Sequence, residues 1–474
     1  MGNAQNSQLA ELRQRLIQGQ LSRREFIRAA TLLGLSLGAG GLLSACSPEA
    51  GSDANASTTP SPGSSAAGYK PAPTFTPQPE VEWIGRTVPT ATPRGTYSPE
   101  WYCGACGQHF PSLDMFLTHA ASNHAWRLPE IKQVDEPTYT QFIVGQIERF
   151  DEKNTIFCRA DWDESYQVLI NAVVPKTPRD PAAAQEGKAL VAGAIFVDNK
   201  SGAQVENYYG YSGHVRGAGG LYDWDEPVNP NKFPVTDPLW MTERVKNVAR
   251  KYGASLVGVT ELDRRWVYSD YFERATQKYG KLELPYRYVV MMAVEMDSEG
   301  INESPGFEAS AATALGYSKM AIVSSSLAAY IRGLGYPAIP SGNDSAQNIP
   351  LAIDAGLGEL GRLGLLLTPE FGPRQRLCKV FTNLPLVPDK PIDFGIQSFC
   401  ETCHACAQAC PASAIRRDDR TPEPTCISNR TGINRWVVSV ERCHLFWMQN
   451  GVDCSNCIAA CPWGLRSPRD WLDL

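Results

Sequence analysis

Residues 400–411 read Cys-Glu-Thr-Cys-His-Ala-Cys-Ala-Gln-Ala-Cys-Pro, a Cys400-x2-Cys403-x2-Cys406-x3-Cys410-Pro411 run. That spacing gathers three thiolates on one tight turn and hands on a fourth, the ligand pattern of a four-iron four-sulfur cluster. A second, stretched run follows as Cys443-x10-Cys454-x2-Cys457-x3-Cys461-Pro462. Two zinc ribbons are the rival reading of paired Cys-x2-Cys motifs. Ribbons have no need of a proline after the last cysteine of both runs. Two clusters in one small domain carry single electrons over short hops, so the chain reads as a redox protein.

In two-cluster ferredoxins the fourth cysteine of a run serves the other cluster. Applied here, one quartet is Cys400, Cys403, Cys406 and Cys461, and the other is Cys410, Cys443, Cys454 and Cys457. Cys426 lies between the runs and is the alternative to Cys443. Cys158 and Cys378 sit in apolar strings and read as buried core. Fourteen cysteines in 474 residues fall well short of a disulfide scaffold.

Outward from the clusters, the chain is 43% hydrophobic and 20% charged, a composition for several core-forming domains. Lys plus Arg number 44 against 50 Asp plus Glu, a net charge of −6. That balance excludes a general electrostatic footprint for nucleic acid. Residues 22–28, Ser-Arg-Arg-Glu-Phe-Ile-Arg, precede a Gly/Ala-rich apolar run that ends at Ala45. This is the pattern of a twin-arginine export signal, a route for proteins that fold around their cofactors before export. The signal closes on Leu43-Ser44-Ala45-Cys46, which resembles a bacterial lipobox. Acyl chains on Cys46, at about 0.8 kcal/mol per buried methylene, would hold the protein on the outer face of the cytoplasmic membrane.

The domain plan expected from sequence is a signal at 1–46, a linker at 47–99, a small module at 100–127, a catalytic domain at 128–395 and a two-cluster domain at 396–474. The linker holds ten of the 35 prolines and cannot bury enough apolar surface to offset its ordering entropy. The module carries Cys103-x2-Cys106-x12-His119-x4-His124, with Phe110 and Phe116 at the small-core positions of a finger. Two thiolates on a turn and two imidazoles one helical turn apart complete a zinc tetrahedron. A Cys103–Cys106 disulfide is the alternative. A single finger on an exported, acidic chain points to a structural staple and away from DNA. In the catalytic domain, strands are expected at 190–198, 255–260, 288–296 and 338–340, and helices at 237–252, 318–334 and 349–357. Such an order fits an α+β layered sheet. The Gly-rich stretch at 213–220 lacks a phosphate-binding pattern and reads as a loop.

Several strings then carry a resemblance. Phe150-Asp151-Glu152-Lys153-Asn154, Leu315-Gly316-Tyr317-Ser318 and Pro340-Ser341-Gly342-Asn343-Asp344 come in order, after the export signal. Gly356-Leu357-Gly358-Glu359-Leu360-Gly361-Arg362, Gly372-Pro373-Arg374-Gln375-Arg376-Leu377-Cys378 and the cysteine runs follow. As a set, over roughly residues 145–465, the chain resembles the respiratory reductive dehalogenases. The resemblance implies a nitroreductase-like core that holds a corrinoid (base-off cobalamin), followed by a ferredoxin-like domain delivering electrons to cobalt. It implies Tyr317 as proton donor, Arg376 as its activator and Asn343 as their companion, with cofactor contacts at Ser318, Gly342 and Leu377. The residue types suit the chemistry: reductive loss of halide leaves a strongly basic carbon, to which a phenol donates well. A permanently charged guanidinium stabilises the phenolate left behind.

No histidine sits in an Asp-x-His-x-x-Gly string, so a bound cobalt is expected to lack a protein imidazole, which eases its reduction to Co(I). The expected substrate is an organohalide, reduced as the terminal step of anaerobic respiration. The expected partners are a membrane-side electron donor and a small membrane-anchor protein, which the lipobox makes less necessary. Trp162, Trp224, Trp240 and Trp266 are candidates to line the substrate pocket, with core packing as the alternative. Two other functions compete. A corrinoid reductase of a non-halogenated substrate, similar to epoxyqueuosine reductase, would use an acidic proton donor where this chain has Tyr317. A ferredoxin-type electron carrier would have no use for some 250 residues ahead of its clusters.

Overall fold

Tyr-Val-Val-Met-Met-Ala-Val at 288–294 is apolar at every position, which a strand sustains only when both its faces are covered. In the computed structural model this run is the second strand of a four-stranded antiparallel sheet. Its strands are β1 (Leu256–Glu261), β2 (Tyr288–Glu295), β3 (Ala338–Ser341) and β4 (Gln375–Thr382), in spatial order β1-β2-β4-β3. The described residues are 131–464 apart from 179, 201–219 and 275–276, together with a few positions between 101 and 119. The export signal, the lipobox, the linker, Cys103, Cys106, His124 and His214 lie outside them.

The named helices are α1 (Pro181–Ala194), α2 (Pro238–Lys251), α3 (Phe307–Gly333), α4 (Asn348–Asp354), α5 (Ile396–Thr402) and α6 (Val440–Asn450). α1 and α2 start alike: Asp180 and Asp237 accept backbone N–H bonds from the first turn, and a proline takes the first helical position. Both devices satisfy or remove donors that a helix start leaves orphaned. Val290, Met292 and Val294 of β2, with Cys378 and Val380 of β4, pack against α2 and α3. Val289, Met291 and Ala293, with Leu377 and Phe381, face the opposite core of Trp266, Leu351 and Ile353. Each strand of the pair thus feeds two cores by simple alternation.

Three expected strands form to within a residue or two, at Leu256–Glu261, Tyr288–Glu295 and Ala338–Ser341. The strand expected at 190–198 does not form; those residues finish α1 and make the short helix Phe196–Asn199. The apolar run there continues a helix already started at the Asp180-Pro181 cap, and a short apolar run by itself has no period that separates the two states. α3 begins at Phe307, well before the expected 318, because its Ala-rich first half is buried all round and shows no amphipathic stripe. β4 was not among the expected strands. A lysine at 379 breaks its apolar pattern.

Buried polar groups tie the layers together. The Tyr139 hydroxyl donates to Asp354 Oδ1 at 2.7 Å, and Trp266 Nε1 donates to the Tyr139 oxygen at 3.2 Å. Trp266 is 1% exposed, so among the four candidate tryptophans it is core. Burial pushes the Asp354 carboxyl up to about 7, against the pull of the Tyr139 bond. Between its unfolded value of about 4 and about 7, the folded chain binds a proton that the unfolded chain has lost. Stability from this group therefore falls as pH rises through that window and stays lower above it. Asp354→Asn keeps an acceptor for Tyr139 and removes the charge. Anaerobic urea melts are expected to show its gain over wild type to be larger at pH 8 than at pH 4, by on the order of 2 kcal/mol.

The cysteine-rich part is not a separate bead. Cys400, Cys403, Cys406 and Cys461 share a core with Phe399, Trp436 and Trp463, and also with Met296 after β2 and Ala312 of α3. A short ladder pairs Ile392 with Gln133 and Asp393 with Lys132 just before α5. The cluster-binding part is therefore seated on the end of the sheet and the first half of α3.

Candidate active site

Three elements converge at one end of the sheet. α3 supplies Tyr317, the turn after β3 supplies Asn343, and β4 supplies Arg376. Asn343 Nδ2 donates to the Tyr317 hydroxyl oxygen at 3.3 Å, and Arg376 Nη1 donates to the same oxygen at 3.2 Å. The Arg376 guanidinium carbon also lies 4.5 Å from the Tyr317 ring centroid, a cation–π contact that holds ring and charge together. Tyr317 and Arg376 are half-buried, and Asn343 is exposed. Residues separated by up to 59 positions thus meet within hydrogen-bond reach.

The approach depends on a glycine. A Cβ on Gly316 would sit 2.8 Å from Arg376 Cγ, and 3.5 Å from Met296 Cγ. The arginine stem crosses α3 where the helix has no side chain, and its charged end then reaches the next residue, Tyr317. Gly316→Ala gains helix propensity but displaces that stem. Turnover at this site is expected to fall about tenfold, a loss of about 1.4 kcal/mol of transition-state stabilisation, with iron content unchanged. Steady-state kinetics beside an iron assay would show both.

Beneath the triad lies a polar cluster that sequence reasoning did not find. Lys379 of β4 is fully buried, and its Nζ donates to Gly342 O at 2.7 Å, Asp344 O at 2.8 Å and Asn348 Oδ1 at 2.8 Å. Asn348, the first residue of α4, holds Nδ2 at 3.0 Å from each of three acceptors, Gly342 O, Asn343 Oδ1 and Leu377 O, which share its two hydrogens. The available signal was a lone lysine inside Leu377-Cys378-Lys379-Val380-Phe381, since a lysine is almost never fully buried without dedicated partners. Gly342 and Leu377 border the triad through their carbonyls. Ser318 is 3% exposed, and its Oγ donates to Ala194 O at 2.6 Å while accepting from Asp198 N at 3.3 Å. Its hydroxyl fastens α3 to the end of α1.

The cysteines of the two runs gather in the iron–sulfur part, most of them buried or half-buried. Burial, then the charges of Cys400, Cys403, Cys461 and Cys457, holds the Cys406 thiol far above its ordinary range. Burial pushes Cys443 up to about 12, with Cys410 and Cys454 adding to it. Cys457, raised first by burial, feels the same set of Cys443, Cys454 and Cys410. Cys426 is bonded to Asn429 and is not among the sulfurs that raise Cys443. Buried thiols crowded in fours are costly to ionise, and iron removes that cost by replacing the protons. Backbone N–H groups of Arg362 and Ala414 donate to Cys400 Sγ and Cys410 Sγ at 3.5 and 3.3 Å, and at Cys400 that bond opposes the upward push of burial. Among the described residues, no three His, Cys, Asp or Glu side chains converge on a single metal ion.

Two of the described histidines belong to the iron–sulfur part. His404 Nε2 lies 3.0 Å from Arg362 Nη2, and His444 Nδ1 bonds the Tyr166 hydroxyl at 2.7 Å.

A mixed α+β core followed by two cysteine runs is the arrangement of an iron–sulfur protein. Residues 399–464 match the family described as a 4Fe-4S double cluster binding domain. The chain is 40% identical over 265 residues to the tetrachloroethene reductive dehalogenase of Sulfurospirillum multivorans, covering 50% of this chain and 53% of that protein. It is 37% identical over 291 residues to the tetrachloroethene reductive dehalogenase of Desulfitobacterium hafniense, covering 52% and 53%. The chain is thus similar to these reductive dehalogenases, and it spans about half the length of the curated relatives it matches. A solved reductive dehalogenase, described as performing B12-dependent dehalogenation, is 25% identical with a TM-score of 0.54, covering 72% of this chain and 46% of its own.

Proposed function

We propose that this protein is an oxidoreductase that removes halogen from an organohalide, using a corrinoid and two four-iron four-sulfur clusters. The observation that carries the reading is the convergence of Tyr317, Asn343 and Arg376 beside the cysteine quartets. Bound, the corrinoid would supply a low-potential cobalt centre able to reduce a carbon–halogen bond. The chain's own residues do the rest. Cys400, Cys403, Cys406 and Cys461 hold one cluster and Cys410, Cys443, Cys454 and Cys457 the other, so electrons reach the site in short single steps. Tyr317 delivers a proton to the carbon that loses halide, and Arg376 holds the phenolate until it is reprotonated. Asn343 fixes the phenol oxygen. Gly342 and Leu377 line the cofactor side by their backbone.

The export signal and lipobox support a place on the outer face of the cytoplasmic membrane, lipid-anchored at Cys46. There the enzyme would serve as terminal reductase of anaerobic respiration, fed by a membrane-side donor and accompanied by a small membrane-anchor protein. A structural zinc at Cys103, Cys106, His119 and His124 is supported by the paired strands Trp101–Tyr102 and His109–Phe110, which bracket the two cysteines as a metal knuckle requires.

Anaerobic reconstitution with iron, sulfide and cobalamin tests the whole reading. The expected result is about eight irons per chain, a Co(II) electron paramagnetic resonance signal without nitrogen splitting, and chloride release from tetrachloroethene under a low-potential donor. Eight irons with no retained cobalamin would leave an electron carrier instead.

A further inference from the structure

We propose that Arg362 sets the reduction potential of the cluster held by Cys400, Cys403, Cys406 and Cys461, as a buried cation that raises it and draws the shared electron toward that quartet. The inference rests on each quartet holding a four-iron four-sulfur cluster, and not on which substrate is reduced.

Arg362 lies in the turn between the short paired strands Glu359–Leu360 and Leu366–Leu367. Its backbone N–H donates to Cys400 Sγ at 3.5 Å, and the residue is 2% exposed. A guanidinium has five hydrogens and no acceptor. Here Nε donates to Cys400 O at 2.8 Å, and Nη1 to Arg416 O and Asp418 O at 3.0 and 3.1 Å. Nη2 donates to Glu401 O at 3.4 Å and to His404 Nε2 at 3.0 Å. Hydrogens and acceptors match one to one, so the group is fixed in place. Four of the acceptors are backbone carbonyls and the fifth is an imidazole; none is a carboxylate. Buried Trp436 covers it, its ring centroid 4.4 Å from the guanidinium carbon.

A buried charge without a counter-ion is costly, and the charges that answer this one are thiolates. Burial draws the Arg362 guanidinium down, while Cys400, Cys406 and Cys403 favour its charged form. At Cys400 burial raises the thiol, and the backbone bond and charge of Arg362 oppose it. Reduction of a cluster adds one electron and no proton, so negative charge builds on iron and sulfur. A fixed cation in a dry interior and an N–H on a ligand sulfur both stabilise that state. The neighbouring Arg420 comes within 3.7 Å of the Trp436 centroid, but its charge is paired with Glu401. After burial, the charges that act on Cys443, Cys454 and Cys457 are their fellow thiols and Asp453, with no cation among them. An electron shared by the two clusters therefore settles on the first. Met296, in the core of that quartet, also packs beside Gly316, the neighbour of Tyr317.

The test is an anaerobic redox titration of the full chain reconstituted with iron and sulfide, followed by the low-temperature electron paramagnetic resonance of its reduced clusters. Arg362→Gln is expected to lower one of the two couples and leave the other in place. At a fixed potential the ratio of reduced to oxidised cluster should fall about tenfold, a shift of about 59 mV for one electron. Arg362→Lys keeps the charge but only three hydrogens, and should stay within about threefold of wild type in that ratio. Arg420→Gln should move it less than Arg362→Gln does. An unmoved couple, or both couples moving together, overturns the proposal. A lysine variant that falls as far as the glutamine one gives Arg362 a structural role only and overturns it equally. Should the glutamine variant fail to take up about eight irons, single-cluster proteins carry the test. The cluster left in Cys443→Ala is then expected at a higher potential than the one left in Cys461→Ala, and equal or reversed potentials overturn the proposal. A wild type that never reaches about eight irons sinks the two-cluster reading itself, and the proposal with it.

Discussion

Tyr317→Phe is expected to lower kcat for halide release by between about 100-fold and 10,000-fold, the range spanned by a positioned proton donor. Iron content, cobalamin retention and melting behaviour are expected to stay at wild-type values. The ring keeps its place because the substitution removes only the hydroxyl, and the Arg376 guanidinium 4.5 Å from the centroid can stack on phenylalanine as on tyrosine. The donors left without an acceptor are Asn343 Nδ2 and Arg376 Nη1, both near solvent, so the stability cost is small. What is lost is a proton at the right place. Single-turnover measurements with pre-reduced enzyme would separate this from slower electron supply: the reduced cofactor should persist in the presence of substrate. A variant that turns over at more than a third of the wild-type rate would remove Tyr317 from the chemistry.

The second large effect concerns the crossover of cysteines. Cys461→Ala is expected to leave about four irons per chain and to abolish turnover, although Cys400, Cys403 and Cys406 remain. Cys461 is the last cysteine of the second run, but the sulfurs that raise its thiol after burial are Cys400 and Cys403. Removing it opens the quartet that shares a core with Met296 and Ala312, so the reducing path to the triad is interrupted. Cys443→Ala is expected to empty the other quartet, whereas Cys426→Ala should leave about eight irons and full activity. Iron assay and low-temperature electron paramagnetic resonance of the dithionite-reduced proteins separate the three. Equal loss in the Cys426 and Cys443 variants would mean that the ligand has been misassigned.

Much of this protein is legible in one dimension because its chemistry is carried by spacing. A cluster-binding run needs its cysteines on one local turn, so Cys400, Cys403 and Cys406 announce themselves without any fold. β2 is equally plain, since seven consecutive apolar residues at 288–294 must be covered on both faces. The 190–198 segment shows the opposite case. Its apolar run fits a strand or a buried helix equally well, and the decision lay upstream, in the cap at Asp180 and Pro181.

The triad marks the boundary between the two kinds of knowledge. Tyr317, Asn343 and Arg376 were named from short strings through a resemblance, and no periodicity or spacing relates them. Only the stacking of α3, β3 and β4 brings their polar ends within 3.3 Å, with Gly316 opening the crossing point. Lys379 and Asn348 were invisible before folding for the same reason: a hydrogen bond depends on where donors and acceptors meet in space. Chain order decides which residues can ligate a cluster or cover a sheet, because those demands are local or periodic. Tertiary structure alone decides which polar groups meet.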